Sequence, residues 1–256
     1  LYRLQFEIPV NNHRIIISYQ NKPSYGDLDI LWCGPDKNYE KMGKVINALQ
    51  DYRNGPVVSF AIPISHEKET IFQVDLINVD PEHFESAFCY FAYNDLGNLI
   101  GRIFHRAGFK LGHKGVTYLV REEGNNSHCI GEIEVTRSWK EALSFAGYDY
   151  NRWEEGFKEL EDVFEFAASS PLANQAIFRL DQTNHAARVR DRKRLTYQKF
   201  LLWVKDPQNR VAESESVPKD KLRSEWIEKA LSEFPLFKEN YNKLMEDICL
   251  LRESKR

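Results

Sequence analysis

The sequence predicts an α+β fold: a sheet with flanking helices over residues 1–130, followed by a mostly helical unit over residues 131–256. Three observations carry this. Apolar and β-branched runs with strand-like spacing alternate with helical spacings up to about residue 120. From Ser138 onward nearly every apolar stretch recurs at helical spacing. The 256 residues are 42% hydrophobic and 29% charged, enough for one large or two modest globular domains.

The elements follow in order. "RIIISYQ" (14–20) and "DLDILWC" (27–33) read as strands, while "NYEKMGKVINALQDY" (38–52) reads as a helix with Asn38 as a candidate N-cap. "PVVSFAIPI" (56–64) and "TIFQVDLINV" (70–79) are strand-like. "DPEHFESAFCYF" (80–91) carries a helix start, Asp80 before Pro81 at the first helical position. Residues 95–107 form an amphipathic helix stopped by Gly108, and "GVTYLV" (115–120) closes the sheet unit. Helices are expected at 138–147, 150–168, 171–179, 185–205, 219–233 and 236–253, with a polar, proline-bearing loop at 206–220. Because the chain opens directly in a strand-like run, the expectation is that a native segment precedes it.

Charge and cysteine content narrow the function classes. The formal net charge of −3 does not by itself call for a polyanionic partner, although a near-neutral total can hide a basic groove. Cys33, Cys89, Cys129 and Cys249 form no C-x-x-C pair, which argues against a zinc site or disulfide framework and fits a reducing, intracellular (cytoplasmic or nuclear) setting. No signal peptide or long apolar span is present in the chain, so no membrane partner is expected. The triplet Asn125-Asn126-Ser127 matches a glycosylation sequon, a pattern common by chance.

The chemistry-bearing pattern is "KPSYGDLDILW" (22–32). Side chains alternate across a strand, so Asp27 and Asp29 share one face while Leu28 and Ile30 take the other. In "IFQVDLINV" the same alternation sets Asp75 opposite Phe72, Val74 and Leu76. If the two strands are neighbours, three carboxylates converge. Such a trio repels itself unless cations neutralise it, and oxygen-only donors suit two Mg2+ or Mn2+ ions together with a substrate's phosphates. A bare D-x-D equally fits a turn or a solvated strand face.

"YFAYNDLGNLIGRIFHRAGF" (90–109) supplies the second block. Leu96, Leu99, Ile100, Ile103, Phe104 and Ala107 form an apolar stripe, and Asp95, Asn98 and Arg102 share the opposite side. An acid, an amide and an arginine could read base edges and sugars, or could be an ordinary solvated face. In the helical half, Arg188, Arg190, Arg192, Lys193 and Arg194 lie within seven positions, interrupted by Asp191, and Lys110 and Lys114 form a smaller basic group; either could follow a phosphate backbone or simply face water. Trp139, Trp153, Trp203 and Trp226 read as core residues.

Taken together, "GDLDIL", "FQVDLI" and "YFAYNDLGNLIGRIFHRAGF" resemble the nucleotidyltransferase superfamily, and within it the palm and nucleotide-binding region of family X DNA polymerases, the DNA polymerase beta-like branch. The likeness covers residues 14–120. It implies a polymerase beta-like sheet, metal-dependent transfer of a nucleoside monophosphate from a nucleoside triphosphate to a DNA (or RNA) primer 3′-hydroxyl, and two bound Mg2+ or Mn2+ ions. Asp27 and Asp29 would then bind both metals, and Asp75 would bind the catalytic one and help activate the hydroxyl. Ser18, Lys22 and Gly26 would lie near the triphosphate, Tyr90 and Phe91 would pack on the sugar with Tyr93 and Asn94 beside them, Asp95 and Asn98 would lie against the base, and Arg102 would reach the minor groove. The chain departs from the family in three ways. Tyr93-Asn94 replaces Gly-Ser, which leaves the ribose or deoxyribose preference open. "IISYQNKPSYGD" lacks the family's glycine and paired arginines in the phosphate-binding turn. No helix-hairpin-helix and lyase domain has a counterpart. An RNA- or tRNA-directed transferase, and a catalytically silent nucleic-acid-binding module of the same fold, remain the alternatives.

Overall fold

The structure is a computed structural model that describes residues 12–34, 39–64, 70–122, 125–182, 185–214 and 217–253. The chain mixes helix and strand around a mixed five-stranded sheet, with a separate three-stranded antiparallel sheet. The first sheet contains β1 (His13–Ile15), β2 (Asp27–Trp32), β3 (Gln50–Asn54), β4 (Val57–Pro63) and β5 (Ile71–Asn78), in the order β1-β2-β5-β4-β3. β2 and β5 pair in parallel, and the remaining neighbours pair antiparallel.

Both faces of this sheet are partly covered. α1 (Tyr39–Val45) seals one face through Met42, which packs with Ile30, Trp32, Val58, Phe60, Val74 and Leu76. α2 (Phe84–Phe91) covers one end of the other face, where Phe84 and Ala87 meet Leu31, Cys33, Ile77 and Val79. The rest of that second face carries the aspartates.

α3 (Leu96–Arg106) follows α2 after a sharp corner. The corner requires a glycine at 97: a Cβ there would stand 2.2 Å from the Tyr90 carbonyl oxygen. α3 then packs into the second and larger core with β6 (Phe109–Gly112), β7 (Gly115–Glu122) and β8 (Asn125–Thr136). The same core takes in α4 (Trp139–Phe145), α5 (Tyr150–Glu155), α6 (Leu160–Ala168), the single turn α7 (Gln175–Phe178), α9 (Leu195–Trp203), α10 (Lys219–Glu233) and α11 (Pro235–Glu253). α8 (His185–Arg192) lies just before α9. Position 130 therefore falls inside β8, and one apolar cluster runs from Tyr19 and Ala92 to Phe237 across it. Trp139, Trp153 and Trp226 are buried in that cluster, with Trp203 packed against it.

Several elements differ from the sequence expectation. The strand expected over 14–20 stops at Ile15; Ile16 N–H still donates to Asp29 of β2 at 3.0 Å, but from Ile17 on the chain bonds elsewhere, the Ile17 carbonyl accepting from Tyr93 N–H at 2.8 Å and Gln20 N–H donating to Phe157 at 3.0 Å. The helix expected over 38–52 ends at Val45, and Gln50–Asn54 is an exposed edge strand turning through Asn54-Gly55. Asn38, its expected cap, lies outside the described residues, as does the strand-like run at residues 1–11. The expected helix over 150–168 breaks at Gly156, whose φ is 82°. That over 185–205 breaks at Lys193–Arg194. Asp80 makes no side-chain cap, and Pro81–His83 forms a 3-10 turn before α2. Among the described residues no helix is long and apolar enough to cross a membrane.

Candidate metal and nucleotide site

The parallel register of β2 and β5 decides the site. Asp27 stands opposite Gln73 and Asp29 opposite Asp75, so all four side chains share one face. Carboxylate oxygens of Asp27, Asp29 and Asp75 lie within 4.8 Å of one another. Asp27 is exposed, and Asp29 and Asp75 are half-buried. Gln73 Nε2 donates to Asp75 Oδ1 at 3.0 Å and reaches Oδ2 at 3.2 Å, which orients that carboxylate. Ser59 of β4 stands beside Asp75 in register, a polar residue within an apolar strand that the sequence pattern passed over.

Crowding shows in the acid at the centre. Burial first, then the charges of Asp27 and Asp75, push the Asp29 carboxyl up to about 6, with Lys22 pulling the other way. A group of three mutually repelling oxygen donors is the chemistry that a divalent cation relieves, so the residues present fit such an ion. Gly26 precedes the strand in open space, where a Cβ would meet nothing within 4 Å.

A cavity of about 910 Å³ opens over this face. Asp27 and Asp29 line it from β2, and Ser18, Lys22 and Tyr25 line it from the connection between β1 and β2. Ser18 Oγ donates to Asn94 Oδ1 at 2.7 Å, and Lys22 Nζ sits 4.6 Å from the centre of the Tyr25 ring. Phe91, Asn94 and Asp95 line the cavity from the α2–α3 corner. Phe91 meets Tyr90 edge-on at 5.4 Å and stacks on His113 at 6.2 Å. Apolar residues of the β1, β2 and β5 region complete part of the wall, and the α8–α9 junction adds Arg194 and Thr196, of which the sequence had marked only Arg194.

Tyr93 is placed differently from the sugar-side position expected for it. It is buried and packs edge-on against Trp153 and Phe157, at 5.8 and 4.7 Å, so its ring belongs to the core. Its φ of 58° and that of Asn94, 63°, are left-handed, conformations that suit glycine and asparagine and strain tyrosine.

The polar stripe of α3 does not face open solvent. Arg102 is buried, 9% exposed, and forms an ion pair with Asp191, which is 0% exposed. Its guanidinium also lies over the Tyr197 ring at 5.4 Å. Asn98 Oδ1 accepts from Arg190 Nη2 at 3.2 Å, and Arg190 Nε donates to Asp191 at 2.9 Å. Arg194 pairs with Asp95. The stripe is thus the docking face for α8, with Arg102 turned into the interface where the minor-groove role expects it free. Asp191 carried one signal in the sequence, as the only acid interrupting a basic run. Arg192 and Lys193 are exposed and Arg188 is half-buried. Lys110 pairs with Glu132 on the second sheet at 3.3 Å, and Lys114 is exposed in the β6–β7 turn; neither lines the cavity.

Asp27 and Asp29, with Asp75 beside them, at a cavity lined by two cations, a serine and an asparagine can hold a cation and a phosphate together. Comparison with known proteins adds no name to this geometry: no family model matches the chain, and a search of curated proteins finds no match.

Proposed function

We propose that the chain is a metal-dependent nucleotidyltransferase that moves a nucleoside monophosphate from a (d)NTP to the 3′-hydroxyl of a nucleic acid. The observation that carries this is the convergence of Asp27, Asp29 and Asp75 on one face of the β2–β5 pair, beside a cavity large enough for a nucleotide. Two Mg2+ or Mn2+ ions, when bound, supply charge neutralisation on the attacking and leaving oxygens. Asp27 and Asp29 would hold both ions and Asp75 the one nearer the attacking oxygen. The hydroxyl oxygen bonds to the α-phosphorus as the bond to the β-phosphate oxygen breaks; pyrophosphate leaves, and the hydroxyl proton passes to Asp75 or to water. Phe91, backed edge-on by Tyr90, offers an apolar wall for the sugar, with Ser18 and Asn94 as polar contacts. The chain's share of catalysis is positioning and electrostatics.

A DNA polymerase-like acceptor is the first reading, on the resemblance of the three sequence blocks. A second reading, an RNA- or tRNA-directed transferase, gains from Arg102: its commitment to Asp191 takes the base-pair-inspecting role away from the α3 stripe in this conformation. Incubation with Mg2+, each labelled NTP or dNTP, and either primed DNA or tRNA separates the two. Label in DNA supports the first, and label only in tRNA replaces it with the second. Asp75→Ala is expected to lower transfer at least about a thousandfold, an effect of about 4 kcal/mol on the barrier, with the circular dichroism spectrum unchanged. Transfer by that variant at the wild-type rate removes the mechanism. Absence of metal-dependent nucleotide binding in the wild type points instead to a silent nucleic-acid-binding module.

A further inference from the structure

We propose that Arg194 is the triphosphate-binding cation of this cavity, held on Asp95 until nucleotide arrives. The inference rests on the nucleotidyltransferase reading and assigns a residue that reading leaves open. Its starting point is a charge count. A nucleoside triphosphate carries about −4 and two divalent ions +4, so the three aspartates leave a surplus of negative charge. Only two cationic side chains line the described cavity, Lys22 and Arg194. Lys22 is engaged with the Tyr25 ring, its ammonium 4.6 Å from the ring centre. Arg194 is the cation left for the phosphates.

Its geometry fits that task. Arg194 Nη1 donates to Asp95, while the side chain remains 42% exposed, so the pair occupies one edge of the guanidinium and leaves other donors accessible. A guanidinium binds phosphate oxygens in a bidentate manner. Arg194 is also the residue before α9, and no side chain caps that helix. Thr196, in the first turn of α9, lines the same cavity. The unpaired N–H groups and positive end of α9 therefore lie beside the position the inference gives to the anion. Asp95 is then a counter-charge that keeps Arg194 in place before nucleotide binds and gives it up to a stronger anion.

Calorimetric titration with magnesium tripolyphosphate, magnesium–ATP and magnesium–AMP tests this. Arg194→Gln is expected to weaken tripolyphosphate and ATP at least about tenfold while leaving AMP within about twofold, and Arg194→Lys is expected to recover part of the loss. Asp95→Asn is expected to tighten tripolyphosphate several-fold, a gain that disappears in the Asp95→Asn/Arg194→Gln double variant. Equal tripolyphosphate affinity in wild type and Arg194→Gln overturns the assignment, as does a gain from Asp95→Asn that survives without Arg194. If Arg194→Gln fails to fold, unchanged affinity in Asp95→Asn is the overturning result. The parent reading fails separately: wild type that binds neither triphosphate with magnesium removes both, whereas wild type that binds both while Asp29→Asn does not leaves the reading standing whatever Arg194 does.

Discussion

Two groups of carboxylates lie near the same cavity and are built on opposite principles. Asp27, Asp29 and Asp75 are like charges, open to solvent on one side, and neutralised within the protein only in part by Lys22. Asp191 and Asp95 are surrounded by opposite charge: Arg102 and Arg190 on the first, Arg194 on the second. The Asp191 cluster is closed and joins α3 to α8, while the Asp95–Arg194 pair is compensated at the edge of the cavity. The first group stays under electrostatic tension that an external cation relieves. Proximity of charges alone therefore does not identify a site; whether the charge is compensated from within does.

The largest effect that could break this contrast lies in the closed group. Asp191→Ala leaves Arg102 buried without its partner, and about 3–5 kcal/mol of stability is expected to be lost, measured by urea denaturation. Asp75→Ala, by removing one of three like charges, is expected to cost nothing or to stabilise the metal-free chain. Equal losses in both variants would erase the distinction.

Cation addition comes next. Mg2+ at a hundredfold excess over its Kd is expected to stabilise the wild type by about 2.7 kcal/mol, read as a rise in Tm, with the rise absent in Asp29→Asn. Asp191→Asn is expected to keep it.

A smaller effect sharpens the comparison through pH. The Asp29 carboxyl titrates at about 6 in the fold, above its ordinary range near 4, so the folded chain holds the proton more tightly than the unfolded one. Ionised Asp29 therefore destabilises the metal-free fold. That cost is full above about pH 6, shrinks as pH falls, and vanishes below about pH 4. Asp29→Asn is expected to be more stable than wild type by about 2 kcal/mol at pH 7.5 in EDTA, and level with it at pH 4. A gap independent of pH would show that Asp29 is not under tension.

The smallest effect is a control. Arg14 and Glu85 pair at 2.7 and 2.8 Å on the exposed surface, compensated but not buried. Glu85→Gln is expected to cost less than about 1 kcal/mol, which separates burial from pairing as the source of the Asp191 effect.

What the sequence disclosed follows the range of the forces involved. Alternation in "DLDIL" and "FQVDL" put the three aspartates opposite the apolar face, and the register of β2 with β5 joins them. That pairing had to be assumed, because strand adjacency depends on the whole chain. Gly147, at positive φ, stands where the expected helix ends, while Gly156, also at positive φ, marks a break that its own signal could have given. Strand β3 was missed for want of an apolar face: all five of its residues are exposed. The α3 stripe illustrates the deeper limit. Spacing showed that Asp95, Asn98 and Arg102 share a side, but nothing local says that the side meets Asp191 and Arg194, some ninety positions later.

The parallel pairing of β2 with β5 also bears on how the molecule assembles. Between these strands the chain must lay down α1, β3 and β4 before β5 can dock. The acid trio therefore depends on a non-local pairing, and a one-residue slip there would turn Asp75 into the apolar α1 side and Val74 and Leu76 out of it, a cost that fixes the register. Regain of cation affinity during refolding would time that docking step more sharply than recovery of helix signal.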